Sequence, residues 1–433
     1  MTIQTPEGYR ALDEASLPGF LAGLPEITAR LGGDPADWTV SEVGDGNLNL
    51  VFIVEGKAGD ICVKQALPYV RLVGDSWPLP LERAFFEYRA TTIQARHVAG
   101  LVPLILHYDP ELFLIVMERL SPHIIMRRGM IDTVVYPAFV DHLVEYTAKT
   151  LYFTSDLALP AAEKKPLMAT FAGNTALCKI TEDLIFTDPY RIAPLNRWTS
   201  PELDDVAASI RGDAELKRAV SVLKYKFLCQ GEALLHGDLH TGSIMVTETD
   251  TKVIDPEFAF FGPMGFDVGK LIGNLLLSYF SQAGHEQEPG ARDAYRQWTL
   301  LTIEKFWNGF ERRFVELWTQ NRTGDAYPPD LFEAGDADGG DLGLRSLGQA
   351  QQAFMRRLFE DVVGYAGTSM IRRILGLAHN IDLELIEDQG RRAACEKRCL
   401  ALAVDLIKHA RQVPSIEAVT AKAATLQATT GTV

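Results

Sequence analysis

The residues most able to do chemistry lie in two short runs near the middle of the chain. The first is Leu234-Leu235-His236-Gly237-Asp238-Leu239-His240-Thr241-Gly242-Ser243-Ile244-Met245-Val246, and the second is Val253-Ile254-Asp255-Pro256-Glu257-Phe258. Moving a phosphoryl group onto a hydroxyl requires a group that orients the hydroxyl and accepts its proton. It also requires carboxylates that hold the Mg²⁺ ions bridging the phosphates. Asp238 stands at the loop position of the first run, and Asp255 follows seventeen residues later at the end of an apolar strand. That order and separation fit the catalytic loop and metal-binding segment of a kinase. The carboxamide metal ligand expected five residues after the base is replaced by Ser243, a weak Mg²⁺ ligand. Glu257 can take its place. If Asp255-Pro256-Glu257 is extended, positions i and i+2 point to one side and both carboxylates reach one site. A buried hairpin with capping carboxylates would contain similar residues, but two ordered runs at this spacing favour chemistry.

A nucleotide side is expected upstream. Gly44-Asp45-Gly46-Asn47-Leu48-Asn49 carries two glycines at a strand-to-strand turn, where backbone can approach phosphates closely, and Asn49 stands where a third glycine could be. Alone this is equally a plain β-turn. Ile61-Cys62-Val63-Lys64 adds weight, because a lysine at the end of an apolar strand is positioned to grip α- and β-phosphates. Its partner should be a glutamate on the following helix. Glu82 and Glu87 compete, and Glu87 is favoured because it lies inside the helix. Met117, Glu118 and Leu120 then form the hinge whose backbone reads the adenine of ATP.

Around these residues the chain divides into a strand-rich part and a helical part. Leu50 to Glu55 and Asp60 to Lys64 read as a hairpin, Leu81 to Arg96 as a helix, and Leu112 to Met117 as an apolar strand. Beyond Pro122 the apolar period becomes helical, as in Phe139 to Phe153 and Asp213 to Gln230, broken by short strands at Ser243 to Thr247 and Thr251 to Ile254. Helices resume from Gly269. The expected class is α+β, a bilobal protein-kinase-like fold with a small antiparallel N-terminal lobe at 1–118 and a larger helical lobe at 119–433. The hinge falls at about 117–122. The acidic, Gly-rich Pro328 to Gly343 reads as a surface loop.

Composition narrows the function classes. With 433 residues, 47% of them hydrophobic and 23% charged, the chain can build a substantial core. A formal net charge of −15 argues against nucleic acid as a partner. Met1 to Ala15 is polar, unlike a secretory leader, and the apolar run Leu271 to Phe280 is too short to span a bilayer. Five cysteines without a CxxC spacing suggest a reducing cytoplasm; Cys395 and Cys399 lack the partners of a metal site.

The sequence resembles the 5-methylthioribose kinase family, relatives of aminoglycoside phosphotransferases and choline kinases. The matching runs are Gly44 to Phe52, Val63 to Arg71, Gly74-Asp75-Ser76-Trp77-Pro78-Leu79, Glu182 to Tyr190, His236 to Ile244, Asp255 to Gly269 and Met370 to Gly376. The resemblance implies phosphorylation of 5-methylthioribose at its anomeric hydroxyl by ATP with Mg²⁺, a step of methionine salvage. It implies Asp238 as base, Asp255 and Glu257 as metal ligands, and Lys64 with the Gly44–Asn49 loop as phosphate contacts. Arg372 and Arg373 are implied to reach the sugar and the transferred phosphoryl group, and the loop of Trp77 to border the substrate pocket. A homodimer is a further expectation from the family. Two successive arginines on one helix point in different directions, so both are unlike a simple solvated face. An arginine pair also disfavours a polycationic aminoglycoside as substrate. A related kinase for another sugar, amino alcohol or antibiotic and an inactive nucleotide-binding module are the alternatives; the presence of base, metal ligands and lysine disfavours the second.

Overall fold

Period-two alternation builds the sheet that carries Lys64. Ile61 and Val63 are fully buried on one face, against Phe52, Val54, Leu114 and Val116. Successive strand residues face opposite sides, so Cys62 and Lys64 turn the other way. The computed structural model describes residues 5–44, 48–70, 74–330 and 339–428, with side chains left aside at 70, 74–77 and 339–345. Asp45, Gly46, Asn47 and the Trp77 side chain therefore lie outside the described residues.

The strands are β1 (Thr39–Glu42), β2 (Asn49–Glu55), β3 (Asp60–Ala66), β4 (Tyr69–Val70), β5 (Gly74–Pro78), β6 (Ile105–Asp109) and β7 (Leu114–Met117). An antiparallel sheet is ordered β1-β2-β3-β7-β6, with Lys64 opposite Val51 on one side and Ile115 on the other. Helices α1 (Leu17–Leu21) and α2 (Pro25–Leu31) cover its apolar face, and α3 (Arg83–Val98) follows the β4–β5 pair.

The helical part comprises α4 (Met126–Ile131), α5 (Phe139–Phe153), α6 (Ala161–Phe171), α7 (Thr175–Phe186), α8 (Asp204–Gly212), α9 (Ala214–Cys229), α10 (Gly265–Ser281) and α11 (Asp293–Gln320). It continues with α12 (Gly339–Leu375), α13 (Ile381–Glu384), α14 (Gln389–His409) and α15 (Ile416–Ala428). Between them, β8 (Ile124–Ile125), β10 (Ile244–Val246) and β11 (Thr251–Val253) form a three-stranded sheet, and β9 (Ala233–Leu234) pairs with β12 (Phe261–Gly262). Helix α12 begins at Gly339, so the last residues of the expected 328–343 loop are helical. Glycine near a helix end costs little, whereas a mid-helix glycine costs about 1 kcal/mol relative to alanine. Composition was therefore a poor guide to this boundary.

Helix α10 organises the site. All of its residues are buried, the signature of a helix surrounded on every side. Gly265, Gly269 and Gly273 recur every fourth residue and lie against α12. A Cβ at Gly269 would come within 2.5 Å of the Val362 carbonyl, and one at Gly273 within 2.7 Å of the Ala366 carbonyl. Only glycine permits this approach. A second stripe, Asp267, Lys270, Asn274 and Ser278, places polar groups at helical spacing in the same buried element.

Candidate active site

The loop after β9 is shaped by its own backbone bonds. Gly237 has φ +81, and a Cβ there would lie 2.1 Å from the Phe258 carbonyl, so this position demands glycine. The Asp267 carboxylate accepts both loop amides, His236 N at 2.6 Å and Gly237 N at 3.0 Å. Burial raises its pKa against those bonds. His236 Nδ1 accepts from the Asp238 amide at 3.2 Å, so its Nε2–H donates to the Ile254 carbonyl at 2.8 Å. These contacts tie the two sequence runs together.

Asp238 emerges from this loop with its side chain about a quarter exposed. Lys270 Nζ is ion-paired with its Oδ1, and His240 Nε2 lies 3.3 Å from its Oδ2. His240 Nδ1 accepts from the Gly242 amide at 2.9 Å, so Nε2 carries the proton and donates to Asp238. Burial holds that imidazole neutral, with Arg373 and Arg127 reinforcing the effect against Asp238. Burial opposes the charge on Asp238, but Lys270 and His240 outweigh it and hold the carboxyl well below the usual range. Ser243 donates to the Asp238 carbonyl at 2.9 Å, so its hydroxyl supports the loop.

The second run departs from the extended segment expected. Asp255 is left-handed at φ 63, and Pro256–Phe258 form a 3-10 turn. Proline's fixed φ suits that turn, and Asn174 Nδ2 closes it by donating to the Glu257 and Ala259 carbonyls at 2.9 and 3.0 Å. The carboxylates diverge in their partners. Asp255 Oδ1 meets Lys64 at 2.6 Å, whereas Glu257 Oε2 meets Arg83 Nε at 3.4 Å and Asn49 Nδ2 at 3.3 Å. A left-handed aspartate is an uncommon conformation that concentrates at functional sites. Among the described residues, no group of three or more His, Cys, Asp or Glu side chains could hold a metal. Asp255 and Glu257 are carboxylate oxygen donors, and Mg²⁺ commonly takes one or two of these beside phosphates and water.

Lys64 Nζ meets Glu87 at 2.8 Å; Glu82 is exposed at the N-cap of α3. Burial works against the lysine charge, but Asp255, Glu87 and Glu257 together raise its pKa. Burial pushes Glu87 up to about 7, despite Lys64. Asn49 is the first residue of β2, and its side chain is engaged by Glu257 and by Arg83 Nη2 at 3.0 Å. Gly44 faces open space. Met117 ends β7 opposite Cys62, and the Glu118 amide donates to the Leu104 carbonyl at 2.9 Å. Leu120 follows on the segment leading to β8.

Arg372 and Arg373 end α12 beside Asp238. Both lower their pKa through burial, with Arg127 beside each and Asp238 opposing. Arg372 Nε and Nη1 and Arg373 Nε are buried without a hydrogen-bond partner. Such unpaired guanidinium donors suit anionic oxygens. Arg373 Nη1 donates to the Ala378 carbonyl at 3.0 Å.

Several residues of this arrangement were absent from the sequence expectations. Arg83 is buried and donates to the carbonyls of Leu67 and Pro80 at 2.8 Å each, and to Leu48 at 2.5 Å. Arg127 donates to Thr241 Oγ1 and Asn274 Oδ1 at 3.1 Å each, with Asp382 at 3.4 Å. Asp267 was missed because the helix was read as starting at Gly269, and Lys270 because it was taken as part of an apolar helical run. Polar residues at helical spacing in an apolar run were the available signal. A surface cavity of about 660 Å³ around Phe171, Cys178 and Phe260 is a separate groove.

The site thus holds an aspartate flanked by cations on the loop after β9 and a lysine held between carboxylates on the sheet. Residues 39–318 match the Phosphotransferase enzyme family (APH). The chain is 48% identical over 413 residues to Methylthioribose kinase 1 of Oryza sativa subsp. japonica, covering 95% of this chain and 94% of that protein. It is 47% identical to Methylthioribose kinase 2 of the same organism, covering 96% of each. It is also 47% identical to a Methylthioribose kinase of Escherichia coli, covering 97% of this chain and 98% of that one. The chain belongs to the phosphotransferase enzyme family and, within it, to the methylthioribose kinases.

Proposed function

We propose that this chain phosphorylates 5-methylthioribose at its anomeric hydroxyl with ATP, giving the 1-phosphate and ADP, as a cytoplasmic step of methionine salvage. The observation that carries this reading is 48% identity across 95% of the chain, a span that includes both the sheet and the helix of Arg372 and Arg373. Residues 1–118 serve as the nucleotide lobe and 119–433 as the catalytic and substrate lobe, joined at about 117–122.

Asp238 orients the acceptor hydroxyl and takes its proton. The hydroxyl oxygen bonds to the γ-phosphorus as the bond to the β-γ bridging oxygen breaks, and ADP leaves. Lys64, held by Glu87, contacts the α- and β-phosphates, and the backbone around Gly44 covers them. The hinge backbone at Met117, Glu118 and Leu120 reads the adenine. Asp255 and Glu257 are the residues that would hold Mg²⁺, which neutralises charge on the phosphate oxygens when bound. Arg372 and Arg373 receive the transferred phosphoryl group and the sugar, with Trp77 bordering the pocket. Five free cysteines accord with a reducing compartment. Among the described residues, no helix is long and apolar enough to cross a membrane.

The cations around Asp238 disfavour a polycationic aminoglycoside or choline. ADP release measured with methylthioribose, ribose, kanamycin and choline tests the assignment. Efficient turnover with methylthioribose, poor turnover with ribose and none with kanamycin or choline is expected; efficient use of kanamycin or choline would overturn it.

A further inference from the structure

We propose that Lys270 is a positioning residue for the phosphoryl transfer, holding Asp238 as an ionised carboxylate with one edge turned toward the acceptor hydroxyl. The proposal rests on the kinase reading above and adds to it a residue that touches the base rather than the substrate.

The geometry comes from one helix face. Asp267 and Lys270 are three residues apart on α10, so they project from the same side. Asp267 holds the loop backbone through His236 N and Gly237 N, and Lys270 holds the side chain that the loop presents, through Asp238 Oδ1. The loop and its base are thus fixed from a single rigid element, itself locked against α12 by the glycine stripe. The Lys270 side chain is only 4% exposed and its Nζ lies 5.2 Å from the centre of the Phe266 ring. With Oδ1 occupied and the His240 contact on Oδ2 long at 3.3 Å, the open quarter of Asp238 is where an acceptor can approach.

Structural economy does not explain a lysine here. A buried ion pair is weak evidence for stability, and an apolar side chain of similar volume often serves as well. The surroundings make the placement costlier still. Lys270 faces Asp238 from the loop, Arg372 and Arg373 from α12 and Asp267 on its own helix, while His240 lies against Asp238, and Arg127 from α4 and Asp382 from α13 act on Arg373. Burial lowers its pKa to about 8, with Arg372 and Arg373 contributing and Asp238 opposing. The ammonium therefore persists at neutral pH and is lost in the mildly alkaline range, where Asp238 loses its strongest cationic neighbour. A carboxylate held this way is a weak base. That is compatible with a loose transition state in which positioning and charge matter more than early proton removal.

The test uses the full-length enzyme and ADP release with ATP, Mg²⁺ and methylthioribose, across roughly pH 6 to 10, a range bracketing the lysine's lowered pKa. Lys270→Met is expected to lower kcat by about 10²–10³-fold, while KM for the acceptor and Kd for ADP stay within about threefold. Its acid limb should move to higher pH, because Asp238 has lost the charge that keeps it ionised. Lys270→Arg is expected to keep activity within about tenfold and to lose the alkaline limb, since a guanidinium stays charged there. Lys270→Met with near wild-type kcat, or with equal losses in kcat and ADP binding, would overturn the proposal. If Lys270→Met does not fold, the arginine variant decides: an alkaline limb unchanged from wild type overturns the idea, and its disappearance supports it. Should wild type release ADP only with another acceptor, the substrate assignment falls and the same comparison is made on that acceptor. No turnover with any acceptor would overturn both.

Discussion

The two halves of the site carry opposite charge balances. On the side proposed for nucleotide, Lys64 and Arg83 stand among Glu87, Asp255 and Glu257, so carboxylates outnumber cations. On the side proposed for the acceptor, Lys270, Arg127, Arg372 and Arg373 stand around Asp238 and Asp382, so cations outnumber carboxylates. The first suits a divalent cation arriving with a polyphosphate. The second suits the phosphoryl group as it crosses. Both rely on the physics that makes unpaired buried charge costly. The unpaired donors of Arg372 and Arg373 belong to the second half.

Removing the base should break the acceptor side most severely. Asp238→Asn is expected to lower turnover by roughly 10²–10⁴-fold while ADP binding, which depends on the other half, is retained. Stopped or coupled assays with a parallel ADP titration would check this; near wild-type turnover in a folded variant would remove Asp238 from the mechanism. Arg373→Ala comes next. It removes an oxyanion donor and should lower kcat/KM by about 10²-fold, with a far smaller effect on ATP affinity. Comparable losses in both would move Arg373 to the nucleotide half.

Substrate choice sharpens the acceptor side further. Burying one methylthio group should favour methylthioribose over ribose by about 1–3 kcal/mol, or roughly 10- to 200-fold in kcat/KM. Steady-state constants for the two sugars decide it, and equal use of ribose would show that no apolar pocket contributes. The scaffold has its own test. Gly269→Val places new atoms against the Val362 carbonyl, whose distance from a Cβ is already only 2.5 Å. A loss of about 1–3 kcal/mol in a denaturant titration is expected. An unchanged midpoint would mean that α10 and α12 can separate without cost.

The nucleotide half was largely legible because its signals are local. Lys64 lies near the end of an apolar strand, and Glu87 sits one turn inside the helix where Glu82 only begins it. Asp238, the proposed base, stood out in the sequence for the same reason, as part of a compact loop motif. What supports Asp238 did not. Lys270 lies thirty-two residues downstream of Asp238, Arg127 more than a hundred residues upstream, and Asp382 near the end of the chain. They meet only because α10, α4 and α13 pack around one loop. The Asp255–Glu257 turn was misread for a different reason: an i, i+2 pair of carboxylates fits an extended segment, and nothing local reveals that Asp255 adopts φ 63.

That turn yields the smallest and most discriminating expectation. Glu257 is buried beside Arg83 and Asn49, whereas the Asp255 side chain is nearly half exposed. If both hold the metal, they cannot be equivalent. Asp255 can turn from Lys64 toward a cation at little cost, while Glu257 must share its charge with Arg83. Glu257→Gln keeps the size and the hydrogen bonds to Asn49 but removes the charge. It should raise the Mg²⁺ concentration for half-maximal activity by several-fold, on the order of 1 kcal/mol for a weakened charge-assisted contact, and leave adenosine affinity little changed. Activity titrated against Mg²⁺ at saturating ATP measures the shift directly. An unchanged Mg²⁺ dependence would confine Glu257 to the Arg83 network, leave Asp255 as the protein carboxylate on the metal, and return Ser243 to consideration as the second ligand.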